Sequence, residues 1–150
     1  MDKENLKDVL TIFAILLFLS TSSFALGFKF RVDMESSALK IGDYYGTNCS
    51  NLSLTDTASC LNKELKSFYN YNLSNIGKHL TLEELKAQGG VCSHASNWYK
   101  DNIDNSTTYS SKYVYLSEVG NSSSHVFIIM YGEEGYCILD QRFKLCNLYG

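Results

Sequence analysis

His125-Val126-Phe127-Ile128-Ile129-Met130-Tyr131 is an uninterrupted apolar run after its first residue. Gly132-Glu133-Glu134-Gly135 and then Tyr136-Cys137-Ile138-Leu139-Asp140 follow it. A short apolar run bounded by glycine-rich turns reads as a central strand covered on both faces, and the four-residue break reads as a hairpin loop to the next strand. Upstream, Lys112-Tyr113-Val114-Tyr115-Leu116-Ser117-Glu118-Val119 reads as another strand, with Gly120-Asn121-Ser122-Ser123 turning the chain. The result is an antiparallel meander.

Outward from the meander toward the N-terminus the period changes to that of helices. Ala58, Leu61, Leu65 and Phe68 recur at helical spacing and predict a helix over 55–71, with Asp56 or Thr57 as its cap. Thr81-Leu82-Glu83-Glu84 has the spacing of a capping box and predicts a short helix ending at Gly89-Gly90. A further helix begins near Cys92 and runs to about Ile103, with Ala95, Trp98, Tyr99 and Asn102 on one side. Helices first and a meander after them predict an α+β domain, helices packed on an antiparallel sheet.

At 150 residues the chain has room for one small domain and a short tail, placed here at 54–150 behind a polar connector at 29–53. A net charge of −3 with no basic run excludes a nucleic-acid surface. Neither a phosphate loop nor a dinucleotide fingerprint occurs. Residues 1–28 stand apart. Val9 to Leu19 is apolar except for Thr11, and no charge appears between Val9 and Lys29. The strongly apolar part has the length of a signal-peptide core, with Ser23-Phe24-Ala25 as a small-x-small site. From Val9 to Phe28 it matches the ~20 residues that cross a bilayer. Either way the chain is expected outside the cytoplasm, secreted or held by a membrane anchor.

The cysteines agree with export. Five are present, Cys49, Cys60, Cys92, Cys137 and Cys146, and an odd count suggests pairs plus one free thiol. The simplest pairing is local, Cys49 with Cys60 and Cys137 with Cys146, leaving Cys92 free. Asn48, Asn51, Asn72, Asn105 and Asn121 each begin an Asn-x-Ser/Thr sequon, so they are glycosylation candidates in an exported chain. Cys92, His94, His125 and Cys137 are zinc-ligand types, but no paired Cys-x-x-Cys is present and no metal is expected.

Gly89-Gly90-Val91-Cys92 carries the chemistry. A thiol at a helix start meets unpaired N–H groups and positive potential, and both favour the thiolate. The glycines let the backbone turn sharply and leave room beside the sulfur. The Cys92 N–H is placed to stabilise an oxyanion. His125 opens one strand and Asp140 closes the next, so the hairpin can bring them side by side as base and orienter. His94, two residues after Cys92, points elsewhere on the helix and reads as a surface or flanking residue. Trp98 reads as core with one face able to line the site.

Taken together, Gly90-Val91-Cys92 followed by Ala95 and Trp98, then His125-Val126-Phe127, then Leu139-Asp140-Gln141, resemble the transglutaminase-like superfamily, distant relatives of papain-like proteases. The resemblance spans about residues 54–141. It implies Cys92 as nucleophile, His125 as base and Asp140 as orienter, in a cysteine hydrolase or acyltransferase that works on peptide or side-chain amides without a cofactor. Phe127 stands where the family often has Trp, and Gln141 where many members have Pro. Gln88 lies upstream of the cysteine, as the oxyanion-hole Gln does in papain-like enzymes. A catalytically silent domain binding a peptide or cell-wall polymer in the same cleft is the alternative, and the placement of the imidazole ring discriminates the two.

Overall fold

The computed structural model describes residues 28–31, 44, 46–118 and 124–149. The apolar segment up to Gly27, the turn at Gly120–Ser123 and the sequon at Asn121 therefore lie outside the described residues. Among the described residues no helix is long and apolar enough to cross a membrane. The described elements are β1 (Phe28–Arg31), α1 (Leu54–Phe68), a 3₁₀ turn (Leu73–Asn75), α2 (Leu82–Gln88), α3 (Cys92–Ser106), β2 (Ser110–Glu118), β3 (Ser124–Gly132), β4 (Gly135–Leu139) and β5 (Lys144–Leu148).

These elements belong to two compact units. In the smaller one, β1 runs antiparallel to the outer half of β2, Phe28 opposite Glu118 and Arg31 opposite Tyr115. Phe28, read from sequence as the end of the apolar segment, is thus the first residue of a strand. The larger unit is the α+β domain, with α1, α2 and α3 and a sheet in the order β2-β3-β4-β5. The β3–β4 and β4–β5 pairs are antiparallel.

The helices α1 and α2 start where side chains satisfy their free amides. Ser53, not Asp56 or Thr57, caps α1, its hydroxyl accepting the Asp56 N–H at 3.3 Å. The cap falls earlier than expected because Leu54, at the first helical position, is wholly buried and pulls the start of the helix onto the core. The capping box of α2 forms as expected: the Glu84 N–H donates to Thr81 Oγ1 at 3.2 Å and the Thr81 N–H to Glu84 Oε2 at 2.7 Å. α1 stops at Phe68, three residues short of the predicted end, and Tyr69 turns to extended backbone at φ −79°, ψ 128°. The reason is tertiary. Residues 70–72 run parallel to 89–91, with Gly90 N–H donating to Asn70 O at 2.9 Å and Asn72 N–H to Gly90 O at 2.8 Å.

The core lies between α1, α3 and the sheet. Leu54, Ala58, Leu61 and Leu65 of α1 pack with Ala95, Tyr99 and Ile103 of α3 and with Ile128, Met130, Cys137 and Leu139. β3 is covered less evenly than its apolar run suggests, with Val126, Ile128 and Met130 buried and Phe127 and Ile129 half-buried. Two strands carry no firm sequence signal, although the connector has room for one short strand. β1 lies in the stretch taken as connector, and β5 carries an exposed edge of Leu145 and Leu148 that lacks the expected alternation. The core also reaches into that connector, where Tyr44 is fully buried and its hydroxyl donates to Leu80 O at 2.7 Å.

Both local disulfides are present. Cys49 bridges Cys60 with a Cα–Cα distance of 5.7 Å, and Cys137 bridges Cys146 across the paired strands β4 and β5 at 4.0 Å. Cys92 is the free cysteine. Of the sequons, Asn48, Asn51 and Asn105 are exposed. The Asn72 side-chain amide is already engaged, donating to Gln88 O at 2.7 Å.

Candidate active site

The two glycines before Cys92 are dictated by contact. Gly89 has φ 74°, and a Cβ there would lie 2.3 Å from the Asn70 carbonyl oxygen. A Cβ at Gly90 would lie 2.7 Å from Leu85 Cδ1 and 2.8 Å from His94 Cβ. The chain can therefore pass between α2 and residue 70 and enter α3 at Cys92 only as bare backbone. Among the described residues the Cys92 N–H has no acceptor, as expected of a first-turn amide.

His94 corrects the sequence expectation. It is not a surface residue but wholly buried, and it locks this entry. Its Nδ1 accepts the Val91 N–H at 3.1 Å, and its Nε2 lies 3.0 Å from Lys78 O. A carbonyl partner at Nε2 and an N–H partner at Nδ1 fix the neutral tautomer with the proton on Nε2. Desolvation is the main cause that lowers the His94 pKa, so the ring stays neutral. It serves as a capping side chain, placing the start of α3 rather than facing substrate.

Cys92, Ser96 and Tyr99 recur along one face of α3. Ser96 Oγ donates to Val126 O at 3.0 Å and holds the helix against the start of β3. The Tyr99 hydroxyl takes a bond from Asn62 Nδ2 at 2.8 Å and sits 3.4 Å from Asp140 O. The register that pairs Ile128 with Leu139 brings the start of β3 beside the end of β4. His125 and Asp140 meet there, His125 Nε2 hydrogen-bonded to Asp140 Oδ2. Asp140 is 2% exposed, and its other oxygen accepts the Arg142 N–H at 2.9 Å.

The thiol completes the line. Burial raises the Cys92 pKa, but hydrogen bonds from the His125 ring and from the Val126 and Ser93 N–H groups, with the imidazolium charge, outweigh it and leave the thiol below its ordinary range. The hydrogen bond to Asp140, then that to Cys92, raise His125 to about 9 against the opposing effect of burial. With Nε2 committed to Asp140, Nδ1 is the nitrogen left for the sulfur. A thiol shifted down beside an imidazole shifted up is the arrangement that favours a thiolate–imidazolium pair.

The remaining expected site residues lie elsewhere. The Gln88 side chain is exposed at the end of α2, and its carbonyl is bonded by Asn72. Trp98 is 2% exposed, edge-on to Phe68 and Tyr99. It lines a cleft of about 310 Å³ with Tyr44, Glu64 and Lys86, not one shared with Cys92. Sequence inspection gave no role to Tyr69 or Tyr71, and named Gln141 only as a motif position. The Tyr69 hydroxyl lies 3.5 Å from Gln141 Oε1. Desolvation first, then the charge of Cys92, raise Tyr69 far above the ordinary phenol range, so it remains a neutral hydroxyl near the sulfur.

No family model, curated protein or solved structure matches this chain.

Proposed function

We propose that the protein is an exported, transglutaminase-like cysteine hydrolase or acyltransferase that works on peptide or side-chain amides through a thioester on Cys92. One observation carries this reading: the His125 ring is hydrogen-bonded to the buried Asp140 carboxylate, and the same ring lowers the pKa of the free Cys92 thiol. A His125 ring turned away from the sulfur would favour a silent binding domain instead.

The thiolate of Cys92 attacks the amide carbonyl, and the Cys92 N–H faces the developing oxyanion. The imidazolium then returns its proton to the departing amine as the carbon–nitrogen bond breaks, leaving a thioester and a neutral ring. His125 next takes a proton from water, or from an amine, as it attacks the thioester. The sulfur leaves as thiolate beside a renewed imidazolium, and the product is an acid or a new amide. Asp140 holds the ring and supports its charge throughout. The two disulfides accord with an oxidising compartment, and residues 9–28 would deliver the domain there as signal or anchor.

Iodoacetamide labelling tests the chemistry. Cys92 is expected to react faster than a free model thiol at neutral pH. Labelling no faster than that thiol, together with unchanged turnover of an amide library by Cys92→Ala, would remove the enzyme reading.

A further inference from the structure

Two chain segments meet beside Cys92, and neither belongs to the triad itself. Residues 70–72 are pinned along Gly90, two positions before the nucleophile. The turn between β4 and β5 follows Asp140 and is joined to the first segment by the Tyr69–Gln141 contact. That turn is rigid: the Asp140 N–H donates to Phe143 O at 3.0 Å, the Arg142 N–H donates to Asp140 Oδ1, and the Cys137–Cys146 bridge clamps the strands on either side. It presents Arg142 to solvent, and among the described residues the guanidinium has no carboxylate partner. Tyr71, exposed on the facing segment, feels burial and the Cys92 charge, both raising its pKa, and the Arg142 charge lowering it. The segment that carries the phenol is held between Gly90, two residues from Cys92, and the turn that carries Arg142. Lys144, the next cation along the chain, is occupied with Ser59 Oγ at 2.5 Å.

We infer that Arg142, with the Tyr71 hydroxyl as a second donor, recognises a carboxylate adjacent to the carbonyl that Cys92 attacks, so that the substrate is an acidic peptide. This rests on Cys92 being the nucleophile. A planar guanidinium with five donors fits a carboxylate, and its charge compensates for bringing an anion to a chain of net charge −3. Arg142 acts by binding and takes no part in proton transfer.

Iodoacetate and iodoacetamide compare an anionic with a neutral reagent in the same reaction: sulfur forms a bond to the methylene carbon and iodide leaves. The rate of Cys92 alkylation by each is followed by intact mass, and the iodoacetate-to-iodoacetamide ratio is normalised to that of 2-mercaptoethanol. Arg142→Gln is expected to lower the ratio by about threefold to tenfold while leaving the iodoacetamide rate in place. Tyr71→Phe should lower it less. Lys63→Gln, which removes an equal charge from the exposed side of α1, should not change it, and raising salt should weaken the preference. An unchanged ratio in Arg142→Gln, or an equal fall in Lys63→Gln, overturns the proposal and leaves Cys92 as the nucleophile. If neither reagent labels wild-type Cys92 faster than 2-mercaptoethanol, Cys92 is no activated nucleophile and the proposal falls with it.

Discussion

Cys92 and His125 titrate as a pair, so pH separates their states. The His125 pKa is raised from 6.5 to about 9 in the folded protein. A raised pKa stabilises the fold fully below the unfolded value, and the contribution disappears as pH climbs through the folded one. The difference in thermal stability between wild type and His125→Gln is therefore expected to be full below pH 6.5 and lost by about pH 9. Cys92 has the opposite sign: its lowered pKa favours the fold at high pH, and that contribution is lost as pH falls through the lowered value. Iodoacetamide labelling should accordingly begin at a lower pH than for an ordinary thiol, and amide turnover should fall again as His125 deprotonates near pH 9. A labelling profile that follows a free thiol would contradict this.

Asp140 contributes at the same scale. Asp140→Asn keeps the shape but replaces an acceptor of the imidazole proton with a group of the wrong polarity. A loss in kcat of about 10²- to 10⁴-fold is expected, with KM little changed. Turnover kinetics on a peptide amide, beside an NMR titration of His125 showing its pKa falling back toward 6.5, would check it.

At the scale of elements, the entry to α3 is the sensitive point. Gly90→Ala pushes a methyl into Leu85 and His94, and the cost is expected at roughly 1–3 kcal/mol. Gly89→Ala meets a carbonyl oxygen and an unfavourable φ, so it should destabilise at least as much. Chemical denaturation measures both. Because the displaced atoms support the first turn of α3, Cys92 alkylation should slow in the variants even below their melting temperatures; unchanged alkylation would detach the glycine geometry from the thiol's reactivity. The capping box of α2 was legible because its partners are three residues apart. His94 was not, because its value lies in Lys78 O, sixteen residues away and on no periodic pattern.

For the whole molecule, Cys146→Ser and Cys92→Ser should separate stability from chemistry. The Cys137–Cys146 bridge closes a short loop around Asp140 and is worth roughly 2–3 kcal/mol in the chain-entropy picture. Its loss should lower the melting temperature and activity together. Cys92 is half-buried with no bridge, so Cys92→Ser should abolish turnover and leave melting nearly unchanged. Calorimetry with a turnover assay gives both readouts.

The sequence by itself determined the α+β order of elements, made the local disulfides the simplest pairing and marked Cys92, His125 and Asp140 as candidates, because each rests on a short-range signal: a period, a glycine break, a cysteine spacing, a strand end. Tertiary structure alone decided that α1 ends at Phe68, since residue 70 must bond Gly90. It alone buried His94, turned Trp98 to another cleft and brought Tyr69 to Gln141 across 72 residues of chain. These depend on which surfaces the packed elements leave beside one another, and no local pattern encodes a contact whose partner is set by the packing of the whole domain.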